Sequence, residues 1–248
     1  MKFVKFEDGH YIFNILGITI KIKKTWNTTE EILKNMSDIE EYYFYHQMHM
    51  QKFLALKEKI KSGAKVKVYF AVSNLSKYSY DSIYKSMLKN DLFDPYILIL
   101  GPDYGFHLNE SCKKDVSDSY EYFKDNYKVI CAYDENYKSK NIDDLYPDIL
   151  FCNDPCLYCC SIFKNELFNK NTLTCYVPYC MNAYNDFFYN YEYPSINNCW
   201  KQFVPTYYDY KMMLDESKYK GLNAHFYGYP KLDVYKQQLD LNKIPEKL

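Results

Sequence analysis

From residue 66 onward, short and nearly continuous apolar runs alternate with stretches of helical periodicity, and this alternation leaves the chain few architectures. The runs cover 66–72, 96–100, 129–132, 149–152, 173–177 and 224–227, and helical patterns fall near 79–90, 117–126, 156–169, 207–219 and 231–239. A strand that is apolar on successive residues, instead of every second one, is buried on both faces. Parallel sheets covered by helices on both sides provide that environment. The pattern therefore predicts an α/β fold with a Rossmann-like parallel sheet over about 64–230. No self-similarity recurs at a period of about 20 to 50 residues, which excludes solenoids and propellers.

Ahead of the sheet region, Tyr11-Ile12-Phe13-Asn14-Ile15-Leu16 and Ile18-Thr19-Ile20-Lys21-Ile22 hinge at Gly17 and predict a short hairpin. Thr28-Thr29-Glu30-Glu31 has the capping-box pattern, and Ile32, Met36, Ile39, Tyr43, Met50, Phe53 and Ile60 recur at helical spacing until Ser62-Gly63. These signals predict one long amphipathic helix. The expected organisation is hairpin plus helix over 1–63, the sheet domain over 64–230, and the start of an interdomain linker over 231–248.

Charge narrows the function classes. The 31 basic residues nearly balance 32 acidic ones, so the formal net charge of −1 lacks the excess of cations from which nonspecific phosphate affinity derives. No nucleic-acid partner is expected. Every basic residue in that count is Lys, so no guanidinium fork is present to grip a phosphate or carboxylate, and anions fall to Lys, backbone amides or helix N-termini. The first residues carry no signal-peptide pattern and no stretch reaches 18 apolar residues, so the expected location is the cytoplasm. The apolar strip at 11–22 with Lys21, Lys23 and Lys24 suits peripheral contact with the inner face of the plasma membrane as well as it suits simple cover for a sheet. Nine cysteines, an odd number, read as reduced thiols.

In an open parallel sheet the ligand lies beyond the carboxyl ends of the strands. The loops there are Ser73-Asn74-Leu75-Ser76, Gly101-Pro102-Asp103-Tyr104-Gly105-Phe106-His107, Asn153-Asp154-Pro155 and Pro178-Tyr179-Cys180. They gather hydroxyl, amide, carboxylate, phenol and imidazole groups suited to a polyol or sugar, although Asn, Asp and Pro are also ordinary turn formers. Ser73, Asn74 and Asn153 are the candidate substrate-binding residues; His107, Asp154 and Tyr179 are the candidate catalytic ones. His107 qualifies as a general base because imidazole titrates near neutrality. There is no dinucleotide fingerprint, P-loop or nucleophile elbow, and no cofactor or metal is assigned.

Two further patterns bear on metals. Cys152, Cys156 and Cys159 have the C-x3-C-x-aromatic-C spacing that resembles the iron–sulfur loop of radical S-adenosylmethionine enzymes, and with Cys175 or Cys180 they offer enough thiols for zinc. In that enzyme family the loop follows the first strand of a long barrel, whereas only 89 residues follow Cys159 here. His46 and His49 lie three apart on the long helix with no evident third ligand, and surface packing is expected for both.

Four segments carry a family resemblance: Asp148-Ile149-Leu150-Phe151-Cys152-Asn153-Asp154-Pro155, Cys175-Tyr176-Val177-Pro178-Tyr179, Trp200-Lys201-Gln202-Phe203-Val204-Pro205-Thr206 and Tyr227-Gly228-Tyr229-Pro230-Lys231-Leu232-Asp233. Their order resembles bacterial CDP-glycerol glycerophosphotransferase-like proteins and related surface-polysaccharide transferases, over about 65–235. The resemblance implies the first, acceptor half of a GT-B architecture, acting on a surface-polymer or lipid-linked acceptor. The CDP-linked donor would bind a following domain, and the half alone would be inactive. The family's Trp-His-Gly motif would fall near Val177-Pro178-Tyr179-Cys180, where this chain has no His. The alternatives from other classes are an iron–sulfur or zinc protein built on Cys152, Cys156 and Cys159, and a non-catalytic interaction module presenting the 28–62 helix.

Overall fold

The computed structural model describes residues 4–7, 10–15, 18–23, 29–100, 109–138, 140, 147–154, 172–181 and 193–236. The chain forms two compact units, Met1–Glu41 and Tyr42–Leu248.

The first unit contains an antiparallel sheet of β1 (Val4–Glu7), β2 (His10–Ile15) and β3 (Ile18–Lys23). Strands β2 and β3 are the expected hairpin, with Ile15 opposite Ile18. The additional strand β1 is only four residues long, too short to show a period of its own. Helix α1 (Thr29–Lys61) follows as expected. It stops where Gly63 takes φ +82°, a left-handed conformation that glycine adopts without a Cβ penalty.

The second unit is built on a seven-stranded, all-parallel sheet, as the apolar runs require. Its strands are β4 (Val66–Val72), β5 (Phe93–Ile99), β6 (Val129–Cys131), β7 (Ile149–Cys152), β8 (Leu173–Tyr176), β9 (Lys201–Val204) and β10 (Ala224–Phe226). The spatial order is β10-β9-β8-β7-β4-β5-β6. The chain therefore starts in the middle, builds outward through β5 and β6, then returns to the other side of β4. This is the Rossmann-like arrangement, and its direction reverses between β4 and β7.

Strand β4 is the core of the unit. Val66, Val68, Phe70, Ala71 and Val72 are all buried, and Phe70 stacks on Phe151 of β7 with ring centroids 5.0 Å apart. A smaller apolar cluster of Ile196, Val204, Met213 and Ala224 fills the space under β9 and β10. The described helices here are α2 (Asp81–Leu88), α3 (Glu110–Phe123), α4 (Pro194–Asn197), α5 (Tyr207–Glu216) and α6 (Asp233–Lys236).

Three differences from the sequence expectation have physical causes. Strand β9 extends back from the strand-like pair Phe203-Val204 to Lys201, which the sequence does not show because Lys201 and Gln202 interrupt its apolar pattern; Gln202 is nevertheless buried, its amide donating to Ile196 O at 2.7 Å and Asn223 Oδ1 at 2.9 Å. Helix α3 starts at Glu110 instead of near 117. Asn109 caps it by accepting from Cys112 N at 2.9 Å, and its buried stripe of Cys112, Val116, Ser119 and Phe123 hides two members behind small polar or thiol side chains. Finally, His49 is buried instead of packing on the surface. Burial, the Lys52 charge and His46 together lower its pKa to about 3, and among the described residues its Nε2 has no hydrogen-bond partner. The second half of α1 is anchored to the starts of the strands. Lys52 Nζ donates to Thr172 O at 3.0 Å, Lys59 pairs with Asp148 at 2.6 Å, and Phe53 packs against Trp200. No helix among the described residues is long and apolar enough to cross a membrane.

Candidate functional site

The reversal between β4 and β7 opens a crevice at their carboxyl ends, and the loops leaving the two strands meet there. Ser73 directly follows β4, and Asn153 and Asp154 directly follow β7; all three are buried. Between Ser73 and α2 the chain makes a tight 3-10 turn over Leu75–Lys77, which Asn74 caps. Its Oδ1 accepts from Ser76 N at 2.8 Å and from Ser76 Oγ at 2.7 Å. That turn sends Lys77 back across the crevice.

Lys77 Nζ donates to Asp154 Oδ2 at 2.5 Å, and Ser73 Oγ donates to the same oxygen at 3.4 Å. The two ionised side chains are largely withdrawn from solvent, with relative exposures of 21% for Lys77 and 10% for Asp154. A charge-assisted hydrogen bond in such a place is stronger than one in water. Asn153 locks the turn from below, its Nδ2 donating to Lys77 O at 2.6 Å. From the next strand, Tyr179 lays its ring 5.1 Å from the Lys77 ammonium.

The segment Gly228-Tyr229-Pro230-Lys231-Leu232-Asp233 closes the far side. Tyr229 OH donates to Tyr179 O, Lys231 Nζ donates to Ser76 O at 3.2 Å, and Asp233 Oδ2 accepts from Ser82 Oγ at 2.8 Å. Gly228 takes φ +88° at the bend into this segment. Beneath the crevice, burial raises the phenols of Tyr80 and Tyr176 well above their ordinary range, so both remain neutral. At the rim, burial also raises the Cys180 thiol, opposed by the charge of Lys231.

Of the candidate residues, Ser73, Asn153, Asp154 and Tyr179 converge on one crevice. Asn74 sits beside them, with its side chain engaged in capping its own turn. His107 lies outside the described residues, as do Cys156 and Cys159. Cys152 and Cys175 are buried and Cys180 is exposed. No group of three His, Cys, Asp or Glu side chains able to hold a metal occurs among the described residues.

Sequence reading missed Lys77, Tyr229 and Lys231 as members of this site. The available signal for Lys77 was the Asn74-x-Ser76 turn directly after a strand, which returns the next side chain toward the crevice. An apolar cleft of about 500 Å³ adjoins the site, lined by Ile83, Met87, Phe151, Val177, Phe203 and Tyr227 together with the 228–233 segment. A larger hollow of about 780 Å³ runs along α1 past Phe44, Gln51, Lys52, Lys59 and Asp148, at the starts of the strands and away from the switch point.

No protein-family model, curated protein or solved structure matches this chain.

Proposed function

We propose that this chain is the acceptor-side domain of a glycosyl- or glycerophosphotransferase that builds a cell-surface polymer, with a CDP-linked donor brought by another domain. The observation that carries the reading is the Lys77–Asp154 pair at the switch point, closed by the same 228–233 segment that bears the family resemblance. A polyol phosphate suits the groups present: Lys77 offers charge to the phosphate, while Ser73 and Asn153 border the hydroxyls. Asp154 accepts the proton of the acceptor hydroxyl as that oxygen bonds to the donor and the nucleotide departs. General-base assistance of this kind contributes about 10²–10⁴ in rate. The reading assigns the role to Asp154 instead of His107. Contact with a lipid-linked acceptor would come from the basic, apolar strip at 11–24.

Titration of the chain with glycerol 3-phosphate, followed by amide NMR, tests this. Saturable shifts at Ser73, Lys77 and Asn153 are expected, and Lys77→Met should abolish them. No saturable shift at these amides up to about 50 mM ligand, which corresponds to a binding free energy weaker than about −2 kcal/mol, overturns the reading.

A further inference from the structure

Two basic side chains meet at the β10 edge of the sheet, away from the crevice. Lys201 opens β9 and His225 lies at the centre of β10, with Nζ and Nε2 2.8 Å apart. Strand alternation puts Lys201 and Phe203 on one face, and because His225 is the register partner of Phe203, His225 and Tyr227 share it. The opposite face carries the buried Gln202, Val204 and Ala224. The ammonium of Lys201 also lies 5.9 Å from the Trp200 ring. Among the described residues, neither Lys201 nor His225 has a carboxylate partner.

On the His225 side the surroundings of this pair are apolar. The His225 ring lies 6.4 Å from Phe203 and 6.2 Å from Tyr227, and both of those rings line the cleft of about 500 Å³. Met87, Phe151 and Val177 continue the lining. The pair thus lies beside the Phe203 and Tyr227 rings that line the cleft, and an ammonium next to an apolar cleft is complementary to a molecule with one negative end and an apolar body.

We propose that Lys201 and His225 bind a small organic oxyanion, a carboxylate or phosphate whose apolar ring or short chain lies in the adjoining cleft. In the free protein Lys201 donates to Nε2, so His225 is neutral with its proton on Nδ1. Burial and the Lys201 charge both hold its pKa below the ordinary value. The other titratable groups around the pair among the described residues are Tyr227, the buried thiol of Cys175 across Lys201, and Tyr42, Tyr45, His46, His49 and Cys199, which line a hollow that Lys201 also borders. An anion pairs with the ammonium, offsets the charge that suppresses the imidazolium, and accepts from the Nε2 proton once it forms. Lys201 and His225 then stop bonding to each other and both donate to the ligand. Affinity therefore rises as pH falls.

The pair stands on β9 and β10, whereas Lys77 and Asp154 stand on the segments that follow β4 and β7, so the inference goes beyond the acceptor reading and survives its failure. The test follows the His225 ring by NMR in the full chain with phenyl phosphate, benzoate and inorganic phosphate. Saturable binding of either aromatic anion is expected, with His225 titrating at higher pH when bound. Inorganic phosphate should bind roughly tenfold more weakly for lack of the ring. Lys201→Met should weaken the aromatic anion by roughly ten- to a hundredfold, the loss of a charge-assisted bond. His225→Gln, which keeps a polar side chain but no titration, should remove the pH dependence. An unchanged amide spectrum shows that each variant is folded. The proposal is overturned if neither aromatic anion moves the His225 titration, if Lys201→Met binds as tightly as the parent, or if inorganic phosphate binds equally well.

Discussion

Buried His49 makes a specific forecast about acid stability. Its pKa in the folded chain is lowered to about 3 from 6.5, by burial first and the Lys52 charge second. The unfolded chain therefore binds this proton from pH 6.5 downward, while the folded chain does so only near 3. Stability present above 6.5 is lost progressively as pH falls through that window. At pH 5 the gap from 6.5 corresponds to about 2 kcal/mol at 1.36 kcal/mol per pH unit. His49→Phe keeps the ring volume and removes both the titration and the unpartnered Nε2. Urea denaturation of both proteins at pH 7.5 and pH 5 is the assay. The variant should lose about 2 kcal/mol less than the parent between those conditions, since the remaining acid-titrating groups are common to both. Equal losses would refute the assignment of His49 as a neutral, desolvated imidazole.

Other perturbations give distinct readouts. Lys77→Met leaves the Asp154 carboxylate largely buried with Ser73 at 3.4 Å; urea melts should show a loss of about 2–4 kcal/mol, and adding Asp154→Asn should recover part of it, because removing one partner of a withdrawn ion pair costs more than replacing both. Gly221→Ala should destabilise by about 1–3 kcal/mol in thermal melts, since φ is +66° and the new Cβ would lie 3.0 Å from Leu214 Cδ2. Liposome co-sedimentation should show weak binding to anionic vesicles at low salt that is lost at high salt or on deleting residues 1–24, at about 1 kcal/mol per juxtamembrane Lys. Sedimentation that survives that deletion would rule the strip out as the membrane contact.

The sequence by itself determined how deeply each segment is buried. Continuous apolar runs such as 66–72 can only be satisfied between two layers, so the parallel α/β class followed before any pairing was known. Helix α1 was equally legible, because its capping signals and its Gly63 stop are local. The absence of Arg also meant that any cation in a site would be Lys. What only the tertiary structure decided was adjacency. Nothing in the local pattern says that β4 lies between β5 and β7, yet that order creates the crevice. Lys77 and Asp154 meet across 77 residues, and Lys201 meets His225 across 24, through strand registers that depend on every neighbouring strand at once. His49, expected at the surface, is buried for the same reason, and buried Gln202 and Cys112 interrupt the apolar pattern of their elements. A polar or sulfur-bearing side chain becomes an interior one when a long-range partner or a packed neighbour completes its environment, and periodicity, which weighs each residue against its nearest few, carries no record of that partner.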